Sequence, residues 1–166
     1  MTLPRYAALG IAALAILLLA ACGDDEKAAV TSPAATNNAA PSICDAFEAE
    51  IDSYADGMSK AGDAMVVTVT ADPGPPDLGL NTWVVQLEDG SGNPVETDAI
   101  RIAPFMPGHG HGTNPLTYDG EATGEAGTWM VGPFDLFMPG VWEFTITVER
   151  AGAEPTSTLF RLCIEG

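Results

Sequence analysis

Both histidines of the chain fall within three positions of each other, in Phe105-Met106-Pro107-Gly108-His109-Gly110-His111-Gly112, beside a methionine. Imidazole nitrogen is a borderline donor and thioether sulfur a soft one. Together they suit Cu(I) and, through the imidazoles, Cu(II), whereas Mg2+ and Ca2+ take oxygen. The spacing favours convergence. A type II turn centred on Pro107 and Gly108 brings the Cα atoms of Met106 and His109 within about 7 Å and needs positive φ at Gly108. An extended exit from that turn puts His109 and His111 on one side, because side chains repeat every two residues. The same tetrapeptide returns 32 residues later as Phe137-Met138-Pro139-Gly140. If both turns lie at one end of the fold, the candidate ligand set is Met106, His109, His111 and Met138. Zinc is a weaker fit, because its structural sites favour thiolate. A blander reading stands beside the metal: glycine-flanked histidines on an exposed loop bind nothing, and Met106 and Met138, with Phe105 and Phe137, plug the ends of a sandwich.

Other chemistries leave no trace. The sequence contains no G-x-S-x-G, no metalloprotease helix and no phosphate loop, and no carboxylate pair stands out, so it is not read as an enzyme. Asp89 to Asn93 offers oxygen in a glycine loop without the spacing or the terminal Glu of an EF-hand. With 23 acidic against 6 basic residues in 166, the formal charge is −17. Such a field repels nucleic acid and anionic lipid, so neither is an expected partner.

The elements that must position the loop read as strands. Met65, Val67 and Val69 alternate with Val66, Thr68 and Thr70, Trp83, Val85 and Leu87 with Val84, Gln86 and Glu88, and most clearly Trp142, Phe144, Ile146 and Val148 with Glu143, Thr145, Thr147 and Glu149. Period two implies one buried and one wet face, which places Trp83 and Trp142 in the core. Shorter candidates cover residues 99–103, 128–131, 134–137 and 158–164. Turn clusters lie between them, among them Asp72-Pro73-Gly74-Pro75-Pro76 and Asp89-Gly90-Ser91-Gly92-Asn93-Pro94. About seven short strands with turns this frequent predict an all-β, antiparallel, immunoglobulin-like β-sandwich. Residues 45–58 fit two templates equally. Phe47, Ile51, Tyr54 and Met58 form a helical stripe, with Asp45 and Glu48 as a capping box, while alternation from Phe47 to Asp56 fits a strand.

Upstream, Ala7 to Ala21 is a run of 15 small and apolar residues after Arg5. It is shorter than the roughly 20 residues of a membrane span and suits the core of a secretory signal peptide, residues 1–21. Its ending, Leu19-Ala20-Ala21-Cys22, resembles the lipobox of bacterial lipoproteins. That implies a lipidated Cys22, an anchor in a membrane and a place in the cell envelope, periplasmic or at the outer membrane or surface. Removing the signal takes away only Arg5 among the charges, leaving −18. Residues 22–42 contain one branched apolar residue, Val30, and read as a flexible linker with a root-mean-square reach of roughly 25 Å. The folded domain is then residues 43–166. With Cys22 assigned to lipid, Cys44 and Cys163 are the remaining pair in a disulfide-permissive compartment and are expected to be bridged.

The order Asp72-Pro-Gly-Pro-Pro, Leu80-Asn81-Thr82-Trp83, the Met-Pro-Gly-His-Gly-His loop and Gly132-Pro-Phe-Asp-Leu-Phe-Met-Pro-Gly-Val-Trp-Glu-Phe144 resembles the YtkA-like domain family. These are small extracytoplasmic β-sandwich domains, similar in outline to FixH-type proteins and periplasmic copper carriers. The resemblance spans residues 64–150 and implies a copper link, with Met106, His109 and His111 on the first motif and Met138 on the second. Two functions follow as expectations. One is copper storage or delivery to an acceptor, with a copper donor or acceptor protein as partner; the other is an envelope interaction module on which the histidine loop is only a rim.

Overall fold

The computed structural model describes residues 42–166 apart from residues 63–64. Cys22, the signal segment and the linker up to residue 41 lie outside the described residues. The alternating segments are strands, and their apolar sets face inward. β1 (Met58–Ala61), β2 (Val66–Asp72), β3 (Gly79–Glu88), β7 (Thr128–Leu136) and β6 (Tyr118–Ala122) follow one another across one antiparallel layer. β4 (Ala99–Met106), β8 (Gly140–Glu149) and β9 (Thr156–Ile164) make the other, with the two-residue β5 (His111–Gly112) on β4. β6 turns the corner between the layers: Tyr118 and Asp119 pair with β4, and Gly120 to Ala122 with β7.

Between the layers, Trp83, Trp142, Phe134, Phe144 and Phe160 are fully buried, together with Val67, Val85, Leu87, Ile102, Ile146 and Leu162. Side chains of this size contribute about 1.5–3 kcal/mol each on full burial. Trp83 lies 4.5 Å from Phe144 and 5.7 Å from Phe134, centroid to centroid, so the aromatic positions of three strands meet at the middle of the core.

The fold is the expected all-β antiparallel sandwich, with three local differences. Nine strands are present among the described residues rather than about seven. The two short candidates around residues 128–137 are one strand, β7, whose pairing with β3 shifts register between Asn81 and Trp83. A bulge there lets Gly132-Pro133 sit within the strand, where a proline and glycine in sequence read as a break. Residues 45–58 are neither of the expected elements. A 3-10 helix, Ile43–Phe47, is followed by turns and irregular chain, and its capping box is formed by Ser42 and Asp45, one turn earlier than the expected Asp45 and Glu48.

That irregular segment has its own work. Asp52 N donates to Arg161 O at 2.7 Å and Arg161 N donates to Asp52 Oδ2 at 2.7 Å, so it satisfies backbone groups on the outer edge of β9. Lys60 pairs with Asp52 at 2.6 Å and donates to Leu159 O at 2.8 Å. Unpaired strand edges template aggregation, and this clasp covers one. Tyr54 ties the segment to β2: its hydroxyl donates to Asp56 at 2.6 Å and accepts from Ala71 N at 2.9 Å. Burial, followed by the bond to Asp56, pushes the Tyr54 phenol above its ordinary value, against the opposing bond from Ala71. The expected bridge is present: Cys44 and Cys163 are bonded, with Cα atoms 5.7 Å apart and a sequence separation of 119. It fastens the 3-10 helix to the last strand.

Candidate metal centre

β4 ends at Met106 and the chain reverses over residues 107–110 into β5, with Met106 directly opposite His111. His109 N and Gly110 N both donate to Met106 O, at 3.2 and 2.9 Å, which closes a four-residue loop. The residue in the left-handed region is Gly110, at φ +70°, and not Gly108. The expected type II turn is thereby corrected to a longer hairpin loop whose closing position takes the positive φ. The two imidazoles nonetheless converge, with centroids 5.7 Å apart. Gly110 between them lies in the left-handed region, so the convergence is not that of an extended segment.

Directly opposed residues of an antiparallel pair project to the same side. His111 therefore points the way of buried Met106, into the end of the sandwich. Its ring stacks on Phe137 at 5.5 Å and 15° and meets the edge of Trp142 at 6.4 Å, and its Nδ1 lies 3.3 Å from Gly112 O. His109 is exposed and His111 half-buried.

The second Met-Pro-Gly turn lies at the same end, as expected. Trp142 Nε1 donates to Met138 O at 2.9 Å, so a core tryptophan on β8 fixes the turn that precedes it. Gly140 follows at φ +124°, where a Cβ would lie 3.2 Å from the Met106 methyl. The two turns thus touch through the Met106 side chain and the missing side chain of Gly140. Met106 is only 2% exposed and packs in the core, while it also lines a cleft of about 410 Å³ with Pro107, His109, Pro139, Ile43 and Phe47. Met138 is half-buried and packs against the same core.

Two imidazoles sharing one ion at the usual metal–nitrogen distance of about 2.0–2.1 Å have ring centres up to roughly 6.4 Å apart. The observed 5.7 Å falls inside that span. Among the described residues no three His, Cys, Asp or Glu side chains are grouped to hold a metal. An ion held by the two imidazoles would have to complete its coordination with thioether sulfur, backbone carbonyl or a donor from outside the chain.

No family model matches the chain, and no curated protein matches it. A solved structure of a DUF4426 family protein from Pseudomonas aeruginosa PAO1 is similar at 18% identity and a TM-score of 0.49, covering 64% of this chain and 96% of that one. Neither family nor function follows from likeness at that level. The YtkA-like resemblance accordingly rests on its motifs.

Two residues given no role in the sequence reading brace the chain near this end. Buried Asn81 donates to Asp77 O and Gly79 O, both at 2.8 Å, and accepts from Asp77 N, which fixes the start of β3. Buried Thr113 donates to Pro115 O at 2.8 Å and braces the chain leaving β5. Their signal was a short polar side chain beside a turn, which many exposed residues share.

Proposed function

We propose that the chain is a lipid-anchored, non-enzymatic protein of the cell envelope whose YtkA-like β-sandwich binds a copper ion at this rim, for storage or for delivery to an acceptor protein. The observation that carries the reading is the pair of imidazoles 5.7 Å apart at the end where both Met-Pro-Gly turns meet. Soft thioethers beside borderline imidazoles favour copper over the hard divalent cations.

The unequal surroundings of the two histidines give a route for release. His111 is held by Phe137 and Trp142 and keeps its place, whereas exposed His109 is the ligand that a donor atom on an acceptor can replace first. Met106, beneath the cleft, and Met138, on the second turn, complete the proposed set. X-ray absorption at the copper edge on the loaded mature chain tests it. Nitrogen together with sulfur scatterers is the expected result, with sulfur reduced in Met138→Leu. A shell of nitrogen and oxygen alone would remove the thioethers from the site.

A further inference from the structure

The same end carries a second feature, an exposed apolar patch around the histidine loop. Four of the nine exposed large apolar side chains among the described residues surround the histidine loop: Ile43 at 49%, Phe105 at 40%, Leu116 at 67% and Phe137 at 50%. They are linked through neighbours. Phe137 stacks on His111, and His111 lines one hollow with Phe105 and Leu116. Ile43 lines the 410 Å³ cleft with Met106 and His109 on the other side of the hairpin.

Charge around this patch is one-sided. Glu50 lines the cleft, and Asp45, Glu48 and Glu165 line the adjoining hollow. Among the described residues the cation lining the cleft is Arg161, already held by Glu143 at 2.6 Å. Lys60 and Arg101 are likewise paired with carboxylates, and Arg150 lines a hollow with Ala151 and Ala153 in the turn beyond β8. An apolar centre with a polar, charged margin is the anatomy of a protein interface.

We propose that this rim is the docking face for a cationic protein surface, which seats an apolar side chain in the cleft and brings Lys or Arg against Glu50, Glu48, Asp45 and Glu165. A second copy of this chain fits poorly, since a two-fold contact would set the same carboxylates against themselves. A phospholipid surface fits poorly too, because its phosphates repel them. The inference goes beyond copper binding and does not depend on it.

The test uses the mature chain carrying Cys22→Ser and three synthetic peptides: a Leu-Phe centre flanked by lysines, the same centre flanked by glutamates, and a Gly-Gly centre flanked by lysines. The first should bind about tenfold or more tighter than either control and shift the amide resonances of residues 105–111 and 137–141. Leu116→Ser, Phe137→Ser and Glu50→Gln should each weaken it at unchanged Tm, and Leu159→Ser, on the outer face of β9, should not. Equal binding of the glycine-centred peptide, or shifts spread over the opposite end, would reduce the face to general electrostatics and overturn the proposal. So would binding to phosphatidylcholine–phosphatidylethanolamine vesicles that Leu116→Ser abolishes. His109→Ala with His111→Ala should keep the peptide while losing copper. Intact copper binding with no peptide preference would overturn this proposal and leave the metal reading standing.

Discussion

At the scale of single residues, the two histidines of the rim differ in how firmly they are held. His111 is clamped between an aromatic face and an aromatic edge, so His111→Ala should cost copper affinity by more than the about 10–100-fold typical of residues that merely orient a ligand. His109→Ala should cost less in affinity and more in the rate of transfer to a chelator, read by stopped-flow absorbance. A separate residue gives a pH prediction. The Asn93 side-chain amide, then the Asn93 and Ser91 backbone N–H groups, hold the exposed Asp89 carboxyl below its ordinary 3.8. Its folded value is depressed, so its contribution to stability is present above the unfolded value and is lost as pH falls through the folded one. In Asn93→Ala the Asp89 carboxyl should titrate closer to 3.8 by NMR, and that acid-side loss should shrink. Trp83, Trp142 and the even positions of β8 were legible because burial at period two is written in residue type. Asn81 and Thr113 were not, because their importance comes from which backbone groups they meet.

At the scale of elements, a hairpin loop sets the geometry of the site, and the choice of glycine within it was the part of the candidate site that the sequence concealed. Pro-Gly invites a type II turn, yet the pairing of Met106 with His111 demands four loop residues and moves the positive φ to Gly110. Gly108 has ordinary φ and open space around a Cβ. Gly108→Val should therefore leave Tm and copper binding unchanged. Gly110→Val should destabilise the hairpin by about 1–3 kcal/mol and weaken copper binding although it removes no donor. Calorimetry and chelator competition on the two variants separate these outcomes. The 45–58 segment stayed ambiguous for a related reason: between Phe47, which ends the 3-10 helix, and Met58, which opens β1, its apolar residues line neither a helix nor a strand, and its Asp52 completes the edge of β9.

At the scale of the whole molecule, a disulfide and a one-sided charge act on the same rim. The Cys44–Cys163 bond closes 119 residues of separation, for which chain entropy gives about 4–5 kcal/mol of stabilisation. Cys44→Ala with Cys163→Ala should lower Tm substantially, and because it frees the 3-10 helix that carries Ile43 and Phe47, it should loosen the cleft as well. This pairing was expected from the cysteine count together with the compartment that the leader segment suggests, and the sandwich from alternation. Where the ends of the sandwich meet was not readable, since it depends on which strands neighbour in space. The claim that joins all three scales is that the two turns meet around one copper ion. Anaerobic Cu(I) titration of the mature chain against a competing chelator tests it most directly. The account predicts saturation at one ion per chain, with an affinity well above that of an unstructured peptide bearing the same Met and His residues, and its loss in His109→Ala with His111→Ala. An affinity no better than the peptide's, or one the double variant keeps, would contradict it.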